Sequence, residues 1–266
     1  MNLIRNCMLA IILAIVFAII VLPYYGGLCA FADDGTTVVP RYMPVYRDIN
    51  PNDAPENIHN AVMSGYDILI NTPGYFGGKL SCGNCHFLGG LTKGGKDGGI
   101  SLLGAAATYP RGSAGEAKVI DLQTAVRNCF SKSLNISPPP PQSRQMQSII
   151  AYLHWISHDI PIYSKVPWLG LPPVSLPQNP DAQNGGKVYS THCAKCHAKD
   201  GSGNKATPPL WGQNSYTNAS PFNNQNIFSA FVLFNMPKGN AKLSQQQAQN
   251  VSSFIMSQSR PFWVGK

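Results

Sequence analysis

Apolar side chains recur along this chain at spacings that predict helices, and glycine and proline fill the gaps between them. From Ala54 to Ile70 the positions Ile58, Ala61, Val62, Ile68 and Leu69 suit one helix, and Gly65 leaves room for a second helix to approach closely. Val119, Ile120, Leu122, Val126, Cys129 and Phe130 recur at helical spacing, which puts Cys129 on an apolar face. Gln142 to Ser157 reads as a long amphipathic helix with Met146, Ile149, Ile150, Leu153 and Ile156 on one side. Two more helices follow. The first starts at Asp181, a good N-cap after Pro180, and runs through Gly186 and Tyr189. The second starts at Ser244, where Ser-Gln-Gln-Gln offers a capping box to Gln247 ahead of Ala248, Val251, Phe254 and Ile255.

The interruptions divide the chain. Residues 33 to about 52 lack periodicity and predict an extended arm; Pro138 to Pro141 ends one region, and the stretch from Ile160 to Pro180, with six prolines and few charges, predicts a semi-rigid connector. A mainly α architecture results, with a first domain over 33–160, a linker over 161–180 and a second domain over 181–266. Residues 1–32 read as a secretory signal peptide: Arg5, an apolar run from Met8 to Leu22, then Ala30-Phe31-Ala32 before Asp33. Left uncleaved, that run of fifteen apolar residues would be a membrane anchor, although a spanning helix needs roughly 20.

Cys82-Gly83-Asn84-Cys85-His86 changes the reading from helical protein to cytochrome. Two cysteines at that spacing with a histidine directly behind them match covalent haem attachment, the thiols reaching the vinyl groups and the imidazole the iron. Cys193-Ala194-Lys195-Cys196-His197 repeats the motif, so two haem c groups are expected. Four cysteines in two such pairs could also gather round one zinc, but zinc ribbons place their halves roughly 15–20 residues apart and leave the two histidines unexplained. The glycine-rich run from Gly89 to Gly104 then reads as a loop round a haem edge.

Each motif has a candidate sixth ligand downstream. Met236, in Asn235-Met236-Pro237, lies 39 residues after His197; Cys129 lies 43 after His86. A thioether raises a haem's potential and a thiolate lowers it, so the two irons are expected to differ and to give electron flow a direction. Met146 and Met256 are the competing methionines, both placed on closing helices, and the plainer alternative for Cys129 is a buried apolar thiol with Met146 as ligand instead. With Cys7 and Cys29 in the signal and four cysteines on haem, Cys129 has no disulfide partner.

The formal charge is +8, yet Lys and Arg are scattered singly, which excludes a nucleic-acid face and favours small anions or an acidic redox partner.

The run from Arg127 to Asn135 resembles the cysteine-ligand segment of dihaem c-type thiosulfate dehydrogenases, which couple two thiosulfates to tetrathionate or run the reverse. Tyr109-Pro110-Arg111, the segment Ala151–Ser157, Pro208-Pro209-Leu210-Trp211-Gly212, Asn235-Met236-Pro237 and Arg260-Pro261 are similar to the same family. The resemblance implies two cytochrome c domains, a periplasmic location, and an active site at a haem ligated by His86 and Cys129, with His197 and Met236 on the second iron. It also implies a small cytochrome c or another periplasmic redox protein as partner. Ser133 matches a family serine, while Ala125 replaces a family arginine and Asn235 replaces the lysine that some members carry. Joining two dianions demands cations to offset their repulsion. Arg111 is the first candidate, then Lys132 and Arg127, with Ser133 as a hydrogen-bond donor to a sulfonate. Two other readings stay open: an electron carrier without its own substrate, and a sulfur-transfer cytochrome that depends on a partner subunit.

Overall fold

The computed structural model describes residues 44–112, 119–177 and 179–265. The expected signal peptide and most of the expected arm lie outside them. Among the described residues no helix is long and apolar enough to cross a membrane.

The described residues form one compact unit built from two helical halves. In the first, α1 (Glu56–Ile70) crosses α4 (Arg144–Trp155), and between them come α2 (Thr72–Phe76) and α3 (Leu122–Asn128). In the second, α5 (Ala182–His192) crosses α8 (Gln245–Met256), and α7 (Gln225–Asn235) packs on α8; the short α6 (Ala194–His197) carries the second motif. Val62, Ile68, Ile149, Tyr152, Leu153 and Ile156 form the centre of the first core. Val188, Phe228, Val232, Ala248, Val251 and Ile255 do so in the second. Both crossings are closed by glycine. A Cβ on Gly65 would meet the Ser148 carbonyl oxygen, and one on Gly185 the Asn250 carbonyl oxygen.

The caps follow the sequence. Ser244 and Gln247 exchange hydrogen bonds in a capping box, and Asp181 accepts from the Asn184 N–H at 2.9 Å. The segment before Cys129 differs from expectation. Val119 and Ile120 are not helical; they form strand β2 (Val119–Ile120), antiparallel to β1 (Arg111–Gly112). The helix starts only after Asp121, whose carboxylate accepts from the Thr124 N–H at 2.7 Å, because that cap satisfies the first turn one residue past two β-branched side chains. It then widens into a π turn over Cys129–Ser133.

The proline-rich connector does not span open space. Trp168 donates its indole N–H to the Leu103 carbonyl at 3.0 Å, Tyr163 donates its N–H to Ala107, and Ser101 bridges to Gly170. Val166 and Leu176 are buried. Few charges and many prolines thus become a strap laid on the first half.

Candidate haem sites

Local hydrogen bonds shape each attachment motif. In the first, Ser81 caps the turn by accepting from Gly83 N–H, and Asn84 Oδ1 accepts from Ser81 N–H at 2.7 Å. The His86 N–H then reaches the Cys82 carbonyl at 2.9 Å, one helical turn back. Thr72, fully buried, accepts from the Cys82 N–H at 3.1 Å and directs its hydroxyl at the Ile68 carbonyl and the Cys82 sulfur. In the second motif the His197 N–H reaches the Cys193 carbonyl at 2.9 Å.

Both imidazoles are oriented alike. His86 Nδ1 lies 2.9 Å from the Ile100 carbonyl oxygen and His197 Nδ1 lies 2.9 Å from that of Pro208. A carbonyl only accepts, so Nδ1 carries the proton and Nε2 keeps its lone pair for a metal. Burial pushes both histidines below their ordinary value, against the pull of those carbonyls, which favours the same neutral form.

A cavity of about 780 Å³ connects the two sites. Cys82, Cys85, His86 and Cys129 belong to its wall in the first half, and Cys193, Cys196, His197 and Met236 in the second. The lining is mostly apolar, and among the described residues it contains no aspartate or glutamate. The two cysteine pairs stand at separate places along it, and among the described residues no three His, Cys, Asp or Glu groups gather as a single ion would require. Paired thiols, a metal-ready imidazole and a thiol or thioether from another element fit a haem c in each half. Tyr216, another wall residue, has a buried phenol oxygen without a protein partner, and the neighbouring Arg260 has a buried Nη1 in the same state. The guanidinium lies 4.4 Å over the Tyr216 ring. Burial pushes that phenol up to about 12 although Arg260 opposes the shift. Such orphaned donors suit the carboxylates that a haem brings.

The competing methionines are separated by packing. Met236 lines the cavity; Met146 is fully buried in the first core and Met256 is outside the wall. Cys129 sits on the π turn and faces the cavity, half-buried because its sulfur opens on that space. Enclosure by protein raises its thiol well above the ordinary value, Cys82 and Cys85 add to this, and the Ser133 hydroxyl opposes it. A coordinated metal ion reverses that balance and deprotonates the thiol.

Of the expected cations, Arg111 and Lys132 line the cavity and Arg127 does not. Arg111 lies over the Tyr109 ring at 4.5 Å, and the Lys132 ammonium over Trp263 at 4.6 Å. Arg127 instead donates to the Pro139 carbonyl at 3.1 Å. The Ser133 hydroxyl is 3.3 Å from that of Ser220 in the second half, a contact the sequence does not reveal. Lys238 was also invisible as a site residue; it lines the cavity and stands 4.4 Å over Phe87, the residue after His86. Nothing in its spacing marks it, since it reaches the first half only through the fold.

Residues 77–162 match the SoxA/TsdA cytochrome c domain and residues 182–259 the cytochrome c family. A thiosulfate dehydrogenase of Thiomonas intermedia is 34% identical over 75% of this chain and 66% of its own length. One from Stutzerimonas stutzeri is 33% identical over 79% of this chain and 71% of its own. The chain belongs to the thiosulfate dehydrogenase family. Its fold is that of two cytochrome c domains, which bind two haem c groups covalently. A solved thiosulfate dehydrogenase, TsdBA from Marichromatium purpuratum in the as-isolated form, superposes with a TM-score of 0.72 at 24% identity. The match covers 83% of this chain and 50% of that one, and at this identity it speaks for the fold.

Proposed function

We propose that this protein oxidatively couples two thiosulfates to tetrathionate, or runs the reverse, at the site of His86 and Cys129, and passes electrons through the site of His197 and Met236. The observation that carries the reading is Cys129 on the wall of the same cavity as His86, Cys82 and Cys85, in a chain of the thiosulfate dehydrogenase family. The haem groups supply one-electron acceptance on each side. Arg111 and Lys132 offset the charge of the arriving dianions, and Ser133 offers a hydrogen bond beside the sulfur.

The sulfur chemistry balances on Cys129 as nucleophile. Its thiolate bonds to the outer sulfur of one thiosulfate with loss of two electrons to an external acceptor, leaving a cysteinyl thiosulfonate. A second thiosulfate attacks that outer sulfur, forms tetrathionate and returns the thiolate. Export to the periplasm and a cytochrome-like acceptor complete the proposal, for a chain whose basic charge would draw in anions.

Thiosulfate-dependent reduction of ferricyanide by the purified dihaem protein, with tetrathionate and a reduced dye for the reverse, tests it. Turnover in either direction supports the enzyme. Silence in both, from protein with both haems attached, overturns it in favour of an electron carrier or a partner-dependent sulfur-transfer cytochrome.

A further inference from the structure

The residues that flank Met236 are tied to the other half of the molecule. Asn235 is fully buried; its Oδ1 accepts from the Gly99 N–H at 2.6 Å and its Nδ2 donates to the Phe231 carbonyl at 3.0 Å. One donor and one acceptor on opposite sides leave the amide a single orientation. Before it, the Phe234 carbonyl accepts from the Asp97 N–H at 2.7 Å. After it, Lys238 stands over Phe87 and the Ala241 N–H donates to Asp97 Oδ1 at 3.0 Å. The loop around Met236 is therefore held at both ends by Asp97 and Gly99.

Those two residues lead directly into the first haem site. Ile100 follows Gly99; its carbonyl accepts from His86 Nδ1 and its N–H donates to the Cys85 carbonyl, both at 2.9 Å. Gly99 itself must be glycine. Its φ is +69°, and a Cβ there would lie 2.7 Å from the Phe87 ring and 2.8 Å from the Cys85 carbonyl oxygen. The path from one imidazole to the other thioether is short: His86 to Ile100 by a hydrogen bond, Ile100 to Gly99 by a peptide, Gly99 to Asn235 by a hydrogen bond, Asn235 to Met236 by a peptide.

We infer that Asn235 is a positioning residue that couples the two haem sites. It holds the Met236 loop against the segment that orients His86. The inference rests on the proposed reading of His86 and Met236 as iron ligands. Withdrawal of Met236 pulls on the Gly99 N–H and displaces Ile100, and the strength of the hydrogen bond to His86 Nδ1 sets how strongly that imidazole donates. Coupling of this type is reciprocal, so displacement of the 97–100 segment equally loosens Met236. A buried asparagine with only a structural role would alter stability and leave the first haem untouched.

The test uses the holoprotein with both haems attached. Asn235→Leu keeps the branched shape and removes both hydrogen bonds; Asp97→Gly removes the bond to Ala241, and glycine suits the φ of +59° at that position. Methionine coordination is read from the charge-transfer absorption of ferric haem bound by a thioether, and each haem's potential from potentiometry followed by electron paramagnetic resonance. One net hydrogen bond lost corresponds to a roughly five-fold rise in the fraction of second haem without methionine. We expect that rise in Asn235→Leu together with a shifted potential of the first haem, and a change in the same direction in Asp97→Gly. A methionine signal and two potentials unchanged in both variants overturn the inference. So does a change confined to the second haem, which makes Asn235 a local clamp. If Asn235→Leu does not fold, Asp97→Gly decides by the same readings. A wild-type protein without the methionine signal refutes the ligand assignment beneath it, a result distinct from these.

Discussion

The Ser148 carbonyl oxygen occupies the space beside Gly65, 2.1 Å from where a Cβ would stand. The second half repeats the contact, with the Asn250 carbonyl oxygen 2.0 Å from a Cβ on Gly185. In each half the opening and closing helices touch backbone to backbone. In the second half the haem motif follows the opening helix directly, and in the first Ser81, the residue before the motif, donates its hydroxyl to the Leu69 carbonyl at the end of that helix. Gly65→Ala is expected to push α1 off α4 at a cost of about 1–3 kcal/mol, the usual penalty for overpacking. Thermal unfolding of the holoprotein should register the loss, and an unchanged midpoint would contradict it.

Asp121 caps the helix that delivers Cys129. Asp121→Ala should cost about 1 kcal/mol. Hydrogen bonds from Thr124 hold the Asp121 carboxyl below its ordinary value. A depressed carboxylate contributes stability above its unfolded pKa, and this is lost as pH falls through the folded value. The stability difference between wild type and Asp121→Ala, measured by denaturant titration, should therefore shrink in acid.

Cys129→Met is expected to raise the potential of the first haem, within the span of about 0.8 V that axial ligands command. Potentiometry of the variant with both haems attached reads this directly. Cys129→Ala should abolish thiosulfate turnover at intact haem content; full turnover would remove the thiolate from the reaction.

Arg111 and Arg127 make a paired test. Arg111 faces the cavity, so Arg111→Gln should weaken substrate use by about ten- to a hundred-fold, the weight of one hydrogen bond to a charged group. Arg127 is turned to the Pro139 carbonyl, and Arg127→Gln should leave the KM for thiosulfate within about two-fold, as for a charge outside the site. Steady-state kinetics on both variants would expose a reversed order.

Thr72 satisfies the Cys82 N–H inside the first core. Thr72→Val keeps the shape and orphans that donor, a loss of about 1–3 kcal/mol. Haem content per chain and the unfolding midpoint should both fall, with the second haem retained.

The sequence by itself determined what short-range physics controls. Cys82 to His86 and Cys193 to His197 place thiols and imidazole by spacing alone, the Ser244 and Gln247 box starts a helix from four residues, and glycine at position 65 announces a close crossing. The apolar spacing of Val119 and Ile120 fits a helix, while pairing with Arg111 and Gly112 across intervening chain makes them a strand. The tertiary structure alone decided which of several chemically equal residues face the cavity: Met236 and not Met146, Arg111 and not Arg127. It alone joined Gly99 to Asn235, since a hydrogen bond between residues 136 apart depends on how two halves pack, and no local pattern records that.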